Sequence, residues 1–217
     1  METDAGDEWT DEPAHRVRLM RYVFDPKVLA REVTAVLDVP LENGARFTAL
    51  IERLSHVYPN AIENRQRRWV PSRAGGILGK LTFLYVGFTE YLLIFGCPAG
   101  TQGFSGRYHH VDLYKVIIEG RYTTYDLESD QITPTVYGAG ALSHMRRGEA
   151  RGLQIDSGSW HLEYGRGLNL TAMPFGLMDT LVSSVDIRPL KLTTSEYTSL
   201  ITKRLRGRLR HPPGARR

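Results

Sequence analysis

The sequence predicts a mainly β body, a barrel or a sandwich, with helices before and after it. Two observations carry this expectation. From about Val70 to about Gly167, short apolar or alternating runs stand between glycine-rich turns with no helical pattern among them, as strands of a closed or stacked antiparallel sheet do. On either side the apolar residues recur every three or four positions, the period of an amphipathic helix.

Residues 1–16 pair acidic charge with few apolar side chains and are expected to form a disordered tail. Residues 17–69 read as a helical segment. Asp25 followed by Pro26 is a cap with proline in the first turn, and Val28, Leu29, Val33, Val36 and Leu37 follow at helical spacing. A second helix carries Phe47, Leu50, Ile51, Leu54 and Val57 and stops before Pro59. Within the β region, 70–167, the clearest strand runs are 81–85, 91–95, 116–118, 133–137 and 160–164. Residues 168–217 read as a helical pair with a basic tail. The first helix covers 173–185, with Pro174 in its first turn. The second starts near a Thr194-Ser195 cap and carries Tyr197, Leu200, Ile201, Leu205 and Leu209 among Arg and Lys.

Composition excludes several classes. The single cysteine, Cys97, cannot form an intrachain disulfide and reads as a small buried apolar residue. The net charge of +4 is gathered largely in 203–217, and a solvated basic end is the ordinary explanation. No recognition helix or ribonucleoprotein pattern accompanies it, so no nucleic-acid partner is expected. The polar start lacks the order of a signal peptide. The most apolar stretch, 81–95, is interrupted by Glu90 and is shorter than the roughly 20 residues of a spanning helix. The expected location is cytoplasmic or peripheral to a membrane, the basic last helix being the element suited to a membrane surface.

Several segments carry a more specific signal. Thr89-Glu90-Tyr91-Leu92-Leu93-Ile94-Phe95-Gly96, followed by Gly103-Phe104-Ser105-Gly106-Arg107-Tyr108, resembles the EY-apolar-FG and G-x-[ST]-G motifs of the sterol delta-8 to delta-7 isomerase and sigma receptor family. Glu163-Tyr164-Gly165-Arg166-Gly167 is similar to the receptor branch. Pro174-Phe175-Gly176-Leu177-Met178-Asp179-Thr180 and Ser143-His144-Met145-Arg146-Arg147-Gly148 are similar to the isomerases. The resemblance spans about residues 45–200. It implies a cupin-like β-barrel, a hydrophobic sterol or isoprenoid ligand, and catalysis without a cofactor. It implies endoplasmic reticulum as the location in a eukaryote and is compatible with a homotrimer. The acidic tail stands where the family has a membrane-spanning segment, so anchoring through the N-terminus is not expected.

Shifting a ring double bond requires protonating one alkene carbon and deprotonating its neighbour, for which a carboxylic acid kept protonated by apolar burial is suited. Strand alternation puts Glu163 and His161 on one face and Trp160, Leu162 and Tyr164 on the other. The resemblance implies that Glu163 faces the pocket; without it, a strand-edge carboxylate in water explains the residue. A second carboxylate is expected nearby, Asp112 or, in another register, Glu119. Tyr91 matches a family tyrosine that hydrogen-bonds the pocket glutamate, while Glu90 is implied to be structural. The implied pocket wall is Ile77, Leu81, Phe83, Leu93, Phe95, Trp160, Met173, Gly176 and Tyr197. His109 and His110 point to opposite faces of a strand and cannot chelate one ion together, so no metal site is expected. Three functions fit these residues: an isomerase, a protonation-initiated isoprenoid cyclase, and a non-catalytic binder of amines or sterols.

Overall fold

The computed structural model describes residues 22–63, 67–130, 133–168 and 187–210. Helix α1 (Pro26–Leu37) starts at Asp25, whose side chain accepts from the Lys27 amide at 2.8 Å, satisfying one of the unpaired donors of a helix start. Helix α2 (Asn43–Val57) follows and packs against it. Leu29, Val33 and Val36 of α1 and Phe47, Leu50, Ile51 and Leu54 of α2 form their buried faces.

Ten strands follow among the described residues: β1 (Val70–Ala74), β2 (Ile77–Val86), β3 (Glu90–Cys97), β4 (Thr101–Phe104), β5 (Val111–Glu119), β6 (Tyr122–Asp126), β7 (Pro134–Tyr137), β8 (Leu142–Met145), β9 (Arg151–Ile155) and β10 (Ser159–Gly167). They form two antiparallel sheets, ordered β1-β2-β3-β10-β5-β8 and β4-β9-β6-β7. The pairs β3 with β10, β4 with β9, β5 with β8 and β6 with β7 are successive segments of one long hairpin wound alternately into the two sheets. That winding is the jelly roll, the cupin architecture, and the β1–β2 hairpin widens its larger sheet.

Strand alternation divides this larger sheet into two faces with different tasks. Its outer face lies under α1 and α2, where Leu92, Ile94, Val116, Ile118, Trp160, Leu162 and Tyr164 merge with the helical apolar residues into the largest core cluster. Glu90, 1% exposed, holds the chain in front of α1: its carboxylate accepts from the Val23 amide at 2.9 Å and from the Tyr164 hydroxyl at 3.0 Å. Gly96 carries no side chain because the Trp160 ring lies across it, 2.0 Å from where a Cβ would stand. Cys97 is fully buried, and burial pushes its thiol up to about 12.

Helix α3 (Ile187–Arg210) lies against β1 and β2, with Leu192 in the cluster of Val70, Leu81 and Leu93. It starts seven residues before the expected Thr194-Ser195 cap, because Pro189 falls within its first turn, where a missing amide donor costs nothing. The helix expected over 173–185 lies outside the described residues. Among the described residues no helix is long and apolar enough to cross a membrane.

Candidate functional site

The inner face of the larger sheet carries a cross-strand row that runs Phe83 (β2), Leu93 (β3), Glu163 (β10), Lys115 (β5) and Ser143 (β8). Antiparallel partners share a face, so these five side chains point between the sheets. The neighbouring row is Leu81, Phe95, His161 and Ile117. On the other side stand Tyr91, Gly165, Leu113 and Met145. An ionisable cluster therefore sits in the middle of an apolar lumen.

Glu163 is the centre of that cluster. The Tyr91 hydroxyl donates to its Oε1 at 2.8 Å, while Lys115 Nζ and His161 Nε2 both stand 3.5 Å from its Oε2. Tyr91 reaches it only because Gly165 intervenes: a Cβ there would lie 2.1 Å from the Tyr91 ring. Lys115 also donates to the Tyr122 hydroxyl at 2.9 Å. His161 is 3% exposed, flanked by the Phe95 and Tyr122 rings, with its Nε2 turned towards Glu163.

These contacts fix the charges. Burial works against the Glu163 carboxylate, but the Lys115 ammonium, His161 and Tyr91 outweigh it and hold the group down at about 2. Burial also works against the Lys115 ammonium, and Tyr122 and Glu163 outweigh it, keeping Lys115 firmly protonated. Burial lowers His161, leaving a neutral imidazole, and raises Tyr91, leaving a phenol. The protonated Glu163 expected from the sequence is therefore not the resting form: the site holds a carboxylate and an ammonium.

Asp112 does not belong to this group. It stands one position out of phase with Lys115 on β5, on the opposite face. There it accepts from Arg147 Nε at 2.9 Å and lies 3.7 Å from His144 Nε2, whose ring stacks on Tyr114. Glu119 pairs with Arg46 of α2 at 3.4 Å. The second charged group facing Glu163 is a lysine, where a carboxylate was expected. Trp160 also lies away from Glu163, on the outer face against Phe47 and Trp69, as the parity of β10 requires. Ile77, Leu81, Phe83, Leu93 and Phe95 share the inner side, and Tyr197 of α3 meets Phe83 edge-on at 6.4 Å. Met173 and Gly176 lie outside the described residues.

Sequence reasoning missed Lys115 and Tyr122. The available signal was a lone lysine inside Val111-Asp112-Leu113-Tyr114-Lys115-Val116-Ile117-Ile118, in phase with Leu113 and Ile117. Behind it, a cavity of about 10 Å³ is lined by Lys115, Tyr122, Thr124, Ser143 and Arg151, with Leu113, Met145 and Leu153. Among the described residues no three His, Cys, Asp or Glu side chains converge as metal ligands would.

Fold and site together define a jelly-roll protein with an ion pair held in its lumen. Comparison with known proteins then places it: residues 13–208 match the model described as ERG2 and Sigma1 receptor like protein, and the chain belongs to that family. It is 38% identical to the C-8 sterol isomerase of Pyricularia oryzae, over 80% of this chain and 78% of the relative. It is 34% identical to the sigma non-opioid intracellular receptor 1 of Gallus gallus, over 82% and 78%. Among solved structures, an RmlC-like cupin from Shewanella frigidimarina is similar over 47% of this chain and 85% of that one, with 15% identity and a TM-score of 0.39.

Proposed function

We propose that this chain is an isomerase that moves a carbon–carbon double bond in a sterol or related polycyclic isoprenoid, with Glu163 and Lys115 as its acid–base couple. The observation that supports it best is the row in which Glu163 Oε2 and Lys115 Nζ stand 3.5 Å apart beside the apolar Phe83 and Leu93. At rest the couple carries one proton, on Lys115. A hydrocarbon entering the lumen displaces water, and an ion pair deprived of water is stabilised by neutralising itself. The proton passes from Lys115 to Glu163, leaving a carboxylic acid beside a free amine.

Glu163 then protonates one alkene carbon, forming a carbocation and its own carboxylate. That carboxylate and the Tyr91 ring beside it stabilise the positive charge. Lys115 removes the proton from the carbon on the other side of the cation, which sets the double bond in its new place and restores the resting pair. The cycle balances in protons and needs no cofactor.

Incubation with a delta-8 sterol in heavy water tests the proposal, with Glu163→Gln and Lys115→Met in parallel. One deuterium gained in a delta-7 product, lost in both variants, is the expected result. Turnover that survives in Lys115→Met refutes the couple.

The ionised resting state of Glu163 also favours a second reading, a binder of hydrophobic amines in the manner of the sigma receptor relatives. In it a ligand ammonium takes the place of Lys115. Absence of turnover together with Glu163-dependent amine binding selects this reading.

A further inference from the structure

The two ends of the central row differ in chemistry. On the β2–β3 side Glu163 is followed by Leu93 and Phe83, with Leu81, Phe95 and Tyr197 around them. On the β5–β8 side it is followed by Lys115 and Ser143, and the small cavity beyond Lys115 is lined by Tyr122, Thr124 and Arg151 from the facing sheet. Two cations and three hydroxyls thus close one end of the lumen, while the other end is apolar. Ser143, Thr124 and Tyr122 are buried, so their hydroxyls face the small cavity away from bulk water, where a hydrogen bond to a charged group is worth most.

The donors there exceed the acceptors. The Lys115 ammonium has three N–H groups, of which Tyr122 takes one and Glu163 faces another. The Arg151 guanidinium has five and gives one to Glu149 at the rim, at 2.9 Å, in a pair whose side chains are 23% and 36% exposed. A half-exposed pair of this kind contributes little, so Arg151 is available to a stronger partner. An oxygen that only accepts, with negative charge, suits these groups best.

We propose that this end is a carboxylate subsite. The ligand is then a polycyclic isoprenoid acid that lies along the row, its carboxylate on Arg151 with the Ser143 and Thr124 hydroxyls and its hydrocarbon body over Leu93 and Phe83, so that Lys115 stays free to exchange its proton with Glu163. Strands stand about 4.8 Å apart, so the carboxylate sits roughly 5–10 Å from the carbon that faces Glu163. The size of the cavity, about 10 Å³, suits one oxygen of the carboxylate, the other remaining on the lumen side, and no bulky head such as a diphosphate. This inference rests on the lumen being the ligand pocket, as proposed above, and adds the chemical class of the ligand.

The test is calorimetric, with three probes that share one skeleton: abietic acid, its alcohol abietinol and the hydrocarbon abietadiene. Each is titrated into the full chain and into Arg151→Gln, which keeps the polar stem and loses the charge. The acid is expected to bind about 10- to 100-fold tighter than the alcohol, the range of a charge-assisted hydrogen bond. Arg151→Gln is expected to reduce that preference at least several-fold while leaving alcohol affinity within about twofold. Ser143→Ala provides a milder second variant with the same expected direction. Equal binding of acid and alcohol overturns the subsite and leaves the pocket standing. Absence of binding by all three probes overturns both the subsite and the reading of the lumen as a pocket for such skeletons.

Discussion

Replacing Lys115 by methionine keeps an unbranched stem in the lumen and removes one charge. At the 3.5 Å separation of Lys115 Nζ and Glu163 Oε2, the attraction is worth about 5 kcal/mol at an effective dielectric constant of roughly 20. That corresponds to a change on the order of a thousandfold in the proton affinity of Glu163. In the native protein the group is held at about 2 against an ordinary 4.5. Its contribution to stability is therefore fully present above 4.5 and is lost as pH falls towards 2. In the variant, burial acts without its main opponent, and the group is expected to return to 4.5 or above. Where it exceeds its unfolded value the sign reverses, and stability declines as pH rises through the titration. Carbon-13 NMR of glutamate-labelled protein, assigned with Glu163→Gln, follows the carboxyl directly, and melts at pH 4 and pH 8 follow the linkage. A Lys115→Met variant whose Glu163 still titrates near 2 would show that Tyr91 and His161 alone hold the charge, and the acid–base couple would lose its second member.

Four further outcomes are expected. With Glu163 ionised and Lys115 protonated in the free protein, kcat/KM for a neutral substrate is flat from about pH 5 to pH 8; a decline above pH 6 would instead indicate a carboxylic acid in the resting site. Tyr91→Phe removes the 2.8 Å donation to Glu163, and turnover drops about 10- to 100-fold, the worth of a hydrogen bond to a charged group, with little change in melting temperature. Asp112→Asn touches only outer-face contacts, those with Arg147 and His144, so turnover stays within about twofold, and a loss at unchanged stability would return Asp112 to the mechanism. Trp160→Ala empties a ring from the helix-facing core and costs about 3–5 kcal/mol in denaturant unfolding, without a specific effect on the bound ligand.

Fold class was legible because the period of the apolar residues changes twice along the chain, and the motifs around Glu90 and Glu163 sharpened it. The site was legible only in part. Glu163 and Tyr91 announce themselves by alternation and by motif, and they meet at 2.8 Å. Asp112 was chosen for its acidity near Tyr108, but one residue of register on a strand exchanges faces. The residue that faces Glu163 is Lys115, three positions further on. The hydroxyls of Thr124 and Ser143 come from strands brought opposite by the winding of the long hairpin, and no local spacing encodes that meeting. Trp160 shows the converse: its parity already opposed Glu163, and a positional match to a pocket wall could not override it.

The two faces of the larger sheet let this chain vary its chemistry without endangering its fold. Leu162 and Tyr164 pack under the helices while His161 and Glu163, between them in sequence, point into the lumen. A substitution on β5 at position 113, 115 or 117 changes the lumen, whereas one at Tyr114, Val116 or Ile118 changes the contact with the helices. The cost of burying Lys115 is met locally by Glu163 and Tyr122 and does not depend on the helix-facing core. One scaffold can therefore hold a carboxylate pair, or a carboxylate with an ammonium, at the same pair of register positions. The register positions facing Glu163 are thus where the charge of the lumen can change while the strands stay the same.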